Sequence, residues 1–380
     1  MAITYKAGVI GPGGRGGGWA RRLHAHKEVE LKAVCDINES RAKSVAEKKG
    51  KCNAYTDVQA MLKKEDLDFC VVATPHYLHA PQAVLCCEND VSVLCEKPMA
   101  ISLQQCDQMI IAARKNAVTL GIGFQHRFNP VYQYLYDAAR GAEGELGTLG
   151  RITDFSMWAR HYRSGMYYLG SSPVDPSTGV PPGQWRGRWA TEGAGILINQ
   201  AVHDIDIFQW VVGDFKSLSA HAATIAKEHA LIEVEDTVSV SFTTQSGAVG
   251  SMIFASSNKK GKFPENFMIV QGENGYVKST DSYKGFILHD DRYKDEEDWE
   301  VPFMVPKRHN LLENFLDAMT NDTDPMVPGE EGRKSIAVIR AILKSVQEER
   351  SVNFPVKDTI TFPTLHNLSR DKPLGPDDMF

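Results

Sequence analysis

The chain has 380 residues, 42% of them hydrophobic and 24% charged, with a formal net charge of −6 and a sequence pI near 6.1. That length is more than one hydrophobic core usually serves, so an ordinary globular protein of two domains is expected. Mild acidity gives no electrostatic reason to expect nucleic acid or an anionic membrane as partner, although a locally basic site could still take a small anion.

The chain opens "MAITYKAGVIGPGG", without a basic segment followed by an apolar run and a cleavage site. No apolar stretch approaches the roughly 18 residues of a membrane helix. The seven cysteines, Cys35, Cys52, Cys70, Cys86, Cys87, Cys95 and Cys106, all fall in the first third. Several stand in apolar runs such as "LDFCVVAT" and "VSVLCE", where cysteine acts as a small hydrophobe. No C-x-x-C or H-E-x-x-H occurs, so no metal is expected, and reduced thiols in a cytoplasmic protein are the plain reading.

Residues 1–124 alternate between strand-like and helical patterns. The strand candidates are "KAGVIG", "VELKAVCD", "LDFCVVAT", "DVSVLCEKP" and "AVTLGIGF". Helical patterns lie between them at 16–26, 38–50, 57–64, 79–88 and 102–116. Continuous apolar strands separated by helices predict a parallel sheet covered on both faces, a doubly wound Rossmann domain in an α/β protein. After residue 125 the grammar changes. A helix near 129–140 precedes the turn-rich "GAEGELGTLG", then the strand "RITDFSMWAR" and a Gly/Pro/Ser-rich loop over 161–188. A long apolar helix is predicted at 193–212. From 217 to 282, period-2 alternation with "QSG" and "GENG" turns predicts an antiparallel meander. Helices near 307–320 and 330–349 close a second domain of residues 125–360, leaving 361–380 as a tail.

The first turn, Gly11-Pro12-Gly13-Gly14-Arg15-Gly16, carries G-x-G-x-x-G between a strand and a helix. Glycines there allow a tight turn, and free N–H groups at the helix start suit a pyrophosphate. Asp36 ends the next strand, where a carboxylate bonds the adenosine ribose. That context separates a dinucleotide site from a merely flexible glycine loop. Asp36 repels a 2′-phosphate and favours NAD. Arg41 could neutralise such a phosphate, or be an exposed helix residue, so NADP is the alternative cofactor.

On the predicted helix 193–212, Asn199, His203 and Asp206 share a sector of roughly 60° at about 100° per residue. A polar stripe on an apolar helix is either a satisfied buried network or the wall of a site. Oxidising a secondary alcohol requires removal of a hydride and a proton, and histidine suits the second task near neutral pH. A lysine ammonium near the same oxygen would stabilise developing alkoxide.

The Gly-rich turn followed in order by "VVATPHYLHAPQAV", "VLCEKPMA", "FQHRFNPVYQYL", "GELGTLGRI" and "GAGILINQAVHDIDIF" resembles the glucose–fructose oxidoreductase/inositol dehydrogenase (Gfo/Idh/MocA) family, over about residues 5–356. The resemblance implies a second α/β domain with a large, open, mostly antiparallel sheet, often a homodimer or homotetramer face. It implies redox chemistry on a sugar, cyclitol or related polyol. It places Lys97, after a strand ending at Glu96, beside the nicotinamide, with Pro98 cis; turn chemistry is the bland alternative. It sets Thr74, Pro75, His76 and His79 along the cofactor, and Gln125 and Arg127 near an interdomain cleft. Lys97 and His203 then become the proton carriers, with Asp206 as support; a core histidine satisfied by Asp206 is the competing explanation. The family's common pattern has Asp four residues before the histidine, where this chain has Asn199.

The segment 158–189 is rich in aromatics and arginines, and Tyr162, Arg163, Trp185 and Arg186 are candidate substrate contacts or parts of an oligomer arm. Three functional classes remain. One is an NAD(P)-dependent sugar, cyclitol or glycoside dehydrogenase. Another retains NAD for transient oxidation during glycoside hydrolysis or elimination, and the third is a non-enzymatic dinucleotide sensor.

Overall fold

A computed structural model describes residues 4–48, 52–140, 147–169, 184–257, 266–279, 286–290, 299–301 and 310–357. The chain divides into two compact units, residues 1–124 with 310–336, and residues 125–309 with 337–380.

The first unit is built on six parallel strands: β1 (Tyr5–Ile10), β2 (Val29–Cys35), β3 (Asn53–Tyr55), β4 (Phe69–Val72), β5 (Ser92–Cys95) and β6 (Leu120–Ile122). Their order is β3-β2-β1-β4-β5-β6, the doubly wound arrangement. β4 and β5 are buried along their whole length, as strands covered on both faces must be. Helices α1 (Gly14–His24), α2 (Glu39–Lys48), α3 (Val58–Lys64), α4 (His79–Cys87) and α5 (Leu103–Lys115) fall where the apolar periodicity put them. Asp57 and Ser102 cap α3 and α5 by accepting backbone N–H bonds. β3 has only three residues, two of them exposed, and carries no apolar run by which to find it.

The sequence boundary at 125–360 assigned residues 310–336 to the second domain, whereas their contacts lie in the first. Phe315 meets Phe69 edge-on at 5.6 Å, Ile122 N–H donates to the Val327 carbonyl at 2.9 Å, and Arg333 pairs with Asp107. The apolar face of a terminal helix pattern does not say which of two sheets it will cover.

In the second unit, α6 (Pro130–Arg140) precedes β7 (Ile152–Arg160) and the short α7 (Gly165–Leu169). The predicted long helix is instead a π-helical turn over Leu197–Ala201 running into α8 (Val202–Val211). There follow β8 (Phe215–Ala223), β9 (Thr237–Thr244), β10 (Val249–Ala255), β11 (Phe267–Gly272), β12 (Gly275–Ser279), β13 (Phe286–Asp290) and β14 (Trp299–Val301). Helices α9 (Leu311–Asn321) and α10 (Gly329–Glu348) lead to β15 (Val352–Asn353), and the division between units falls within α10. The nine strands are ordered β14-β13-β12-β11-β7-β10-β9-β8-β15, antiparallel except for the parallel pair β7 and β10. Both expected turns form hairpins, with Gly247 and Gly275 at positive φ. Phe155, Phe208, Phe215 and Phe242 join the helix layer to the sheet through edge and tilted ring contacts of 4.7–6.3 Å. The predicted tail 361–380 lies outside the described residues.

Candidate active site

The glycine turn is shaped as a dinucleotide cradle requires. Gly11 has φ +80, and a Cβ there would come within 2.9 Å of the Ala73 carbonyl and Thr74 backbone. A Cβ on Gly16 would come within 2.1 Å of the Gly11 carbonyl, so the helix can approach the turn only with glycine here. Around Gly14 there is open space. The Thr74 hydroxyl oxygen, on the neighbouring turn, is buried with no hydrogen-bond partner among the described residues. A close-packed turn, an open outer side and an orphaned hydroxyl fit a bound dinucleotide. Gly11, Gly13, Gly14 and Gly16, with Pro12 and Thr74, are the residues that would hold it.

Asp36 follows β2 and is nearly buried; its oxygens accept from Arg41 at 3.1 Å and from the Asn38 N–H at 2.9 Å. The Arg41 side chain reaches to 3.7 Å from where a Gly13 Cβ would lie. Arg41 is an exposed residue of α2, and its guanidinium is paired with Asp36 beside the glycine turn.

Two anchors fix the turn that carries Lys97. On one side, Glu96 Oε1 accepts from Trp19 Nε1 at 2.6 Å and from Arg15 Nε at 3.0 Å, tying the turn to α1. On the other, the Lys97–Pro98 bond is cis and the Pro98 carbonyl lies 2.7 Å from His79 Nδ1. His79 Nε2 lies 2.9 Å from the Thr74 carbonyl, so the ring stands between the Lys97 turn and the Thr74–Pro75 turn, donating to one carbonyl when neutral and to both when protonated. Burial lowers the His79 pKa, while both carbonyl contacts oppose the shift. Lys97 itself is half-buried. His76 begins a short 3-10 turn and its ring is 5.9 Å from that of His79. Glu96 and His79, expected along the cofactor, are thus placed as anchors of the turn, while Thr74 faces the glycines.

In the second unit Gln125, His126, Arg127 and Phe128 form one 3-10 turn, held by the Gln133 side chain donating to the Arg127 carbonyl at 3.1 Å. Arg127 and Asp206, expected at a cleft and behind His203, are each other's partners. Arg127 Nε and Nη2 bond the Asp206 carboxylate at 2.6–3.1 Å, with both side chains at 3% exposure or less. A forked guanidinium satisfies a buried carboxylate in this way, which makes the pair a brace between the 3-10 turn and α8. His203 is 7% exposed and stacks on the His126 ring at 4.4 Å and 23°.

Asn199, on the π-helical turn, is the hub of a network the sequence did not reveal. Its Oδ1 accepts from Tyr167 at 2.7 Å and from Gln200 at 2.7 Å, and its Nδ2 donates to Glu192 Oε1. Glu192 is fully buried; its other oxygen accepts from the Gly187 N–H at 2.5 Å. Burial pushes the Glu192 carboxyl up to about 8, with those two hydrogen bonds and Arg186 opposing. Arg186 lies over the Tyr167 ring at 4.6 Å and the Trp185 ring at 4.5 Å, and Arg163 over Tyr167 at 5.1 Å. Tyr162 donates to Glu228 at 3.3 Å. Trp185, Arg186, Arg163 and the Asn199 stripe are therefore brought together through Tyr167. Residues 170–183 of the predicted loop lie outside the described residues. Only the short polar-aromatic alternation "RSGMYYLG" hinted at Tyr167, and nothing in "TEGAG" marks Glu192.

Comparison with known proteins gives two family matches. A model described as "Oxidoreductase family, NAD-binding Rossmann fold" matches residues 5–124, and one described as "Oxidoreductase family, C-terminal alpha/beta domain" matches residues 161–354. Among curated relatives, a D-apiose dehydrogenase of Paraburkholderia graminis is 26% identical, covering 87% of this chain and 85% of its own. A myo-inositol 2-dehydrogenase of Thermotoga maritima is 25% identical over 91% of this chain and 98% of its own. Among solved structures, the WlbA dehydrogenase of Bordetella pertussis, in complex with NADH and UDP-GlcNAcA, superimposes with a TM-score of 0.77. It shares 25% identity and covers 93% of this chain and 100% of that one.

Proposed function

This chain belongs to the Gfo/Idh/MocA oxidoreductase family, and from that premise we propose that it oxidises or reduces a secondary alcohol of a sugar, cyclitol or glycoside. The observation that carries this reading is the Lys97 turn. It is anchored on both sides, by Glu96 to α1 and by Pro98 through His79 to the turn beside the glycines. Such anchoring fixes the backbone that carries Lys97 relative to the glycine turn, and the ammonium it bears is the group offered to a developing alkoxide.

NAD, when bound, supplies the hydride acceptor; NADP is the alternative dinucleotide. Lys97 stabilises the alcohol oxygen as its proton leaves, and His203 takes that proton. The His126 ring at 4.4 Å fixes the plane of the His203 imidazole, and the Arg127–Asp206 brace fixes the helix behind it. Asn199 cannot carry a proton; through Tyr167 and Glu192 it orients groups that meet the substrate. Dehydrogenase names among the relatives support the substrate class without choosing a sugar. The outer face of the large sheet, with Trp158 and Val249 exposed, supports assembly with a second copy. The reading is tested with purified protein, NAD and a panel of cyclitols, free sugars and glycosides. Accumulating NADH is the expected outcome. Product formed without NADH would favour transient oxidation by a retained dinucleotide, and inertness towards the whole panel would favour a sensor.

A further inference from the structure

Arginines in the described residues are mostly ion-paired: Arg41 with Asp36, Arg127 with Asp206, Arg151 with Glu273, Arg188 with Glu233 and Arg333 with Asp107. Arg163 and Arg186 differ. Each lies over the same Tyr167 ring, at 5.1 and 4.6 Å, and among the described residues neither has a carboxylate within ion-pair distance. Among the described residues the Nε donors of both are buried without an acceptor, as is Nε2 of nearby Gln184. Two like charges on one ring repel, and desolvated donors without acceptors are costly, so the arrangement calls for an anion. Glu192 is the carboxyl that Arg186 feels, but both of its oxygens are engaged by Asn199 and the Gly187 N–H, and its burial disfavours the charged form. The backbone is built to hold this cluster. Arg163 N–H donates to the Ser256 carbonyl at 3.1 Å, and its own carbonyl lies 2.8 Å from His229 Nε2. Tyr167 in turn donates to Asn199, one helical turn before His203.

We propose that Arg163, Arg186 and Tyr167 form an anion subsite, and that the substrate is an acidic sugar: a hydroxylated ring carrying a carboxylate or phosphoryl group. Forked guanidinium donors favour such planar or tripodal oxyanions over neutral hydroxyls, and the aromatic ring offers a face to the sugar C–H groups. The inference rests on the oxidoreductase reading for its place in turnover, while the subsite itself is tested by binding alone.

The experiment is calorimetric titration of the protein saturated with NADH, which prevents oxidation. The probes are the matched pairs D-glucose and D-glucuronate, D-galactose and D-galacturonate, and D-glucose and D-glucose 6-phosphate. At least one acidic member is expected to bind about 10-fold or more tightly than its neutral partner, a gap of the size one desolvated charged contact gives. Uronates alone would identify a carboxylate, and the phosphate ester alone a phosphoryl group. Arg163→Gln and Arg186→Gln should each erase most of that preference, and Arg186→Lys should restore part of it. Should the variants fold poorly, rising NaCl must weaken acidic binding in the unaltered protein and leave neutral binding unchanged. Equal or tighter neutral binding, no binding by any probe, or a preference that survives both substitutions would overturn the subsite. Tight acidic binding without NADH formation in the NAD-loaded protein would leave the subsite standing and overturn the dehydrogenase reading.

Discussion

At the residue scale, Asn199 is explained by what surrounds it. An Asp here would set a second carboxyl against Glu192 in a fully buried position, replacing the amide donor and leaving the two acids to share one proton. Asn199→Asp should therefore destabilise the fold by about 1–3 kcal/mol, the cost of a buried polar group left unsatisfied. The double variant Asn199→Asp with Glu192→Gln reverses the donor and acceptor and should recover most of the loss. Urea denaturation checks both, and an unchanged single variant would show that the contact does not govern the choice of Asn. Asp36 bears on the cofactor in the same local way. Its carboxylate is held by Arg41, so Asp36→Ala releases that guanidinium beside the glycine turn. The expected outcome is weaker NAD and stronger NADP binding, read by fluorescence titration of the reduced forms. Gly11, Gly16, Asp36 and Lys97 could be marked from the sequence because their chemistry depends on neighbours within a few positions. Glu192 and the His126–His203 stack could not, since partners joined through a turn, or 77 positions apart, leave no local pattern.

At the scale of elements, the helix carrying the site begins on a buried acid. Glu235 Oε1 accepts from the Gly195 and Leu197 N–H groups at 2.8 and 3.1 Å, capping the turn that leads into α8. Burial pushes Glu235 up to about 7 against those two bonds, as it pushes Glu192 up to about 8. Both folded values lie above the ordinary carboxylate value of 4.5. The stability they contribute is thus complete below that value and is lost as pH rises through 7 to 8. Thermal midpoints should fall between mildly acidic and mildly alkaline buffer, and Glu192→Gln should flatten the decline; a midpoint that rises over that range would contradict it. The π-helical turn itself was not legible, because apolar spacing does not distinguish one wide turn from a regular helix. The Rossmann helices were legible to within a few residues, since buried parallel strands and amphipathic helices differ sharply in period.

At the scale of the whole molecule, the two-part organisation followed from the change of pattern near residue 125, and α9 showed its limit. Its capping box at Asn310 and Glu313 starts a helix whose apolar face, led by Phe315, covers the sheet of the first unit some 190 residues after that unit's last strand. Sequence order alone cannot state such a return. For function, the central claim is the proposal that Lys97 stabilises the reacting alcohol oxygen. Its most direct test compares NADH formation by the unaltered protein and by Lys97→Ala, with NAD affinity measured in parallel. The best substrate of the sugar, cyclitol and glycoside panel is used throughout. The expected result is a fall in kcat of about 100-fold or more with NAD affinity nearly unchanged, because the glycine turn and Asp36 are untouched. Turnover by Lys97→Ala at the unaltered rate would contradict it.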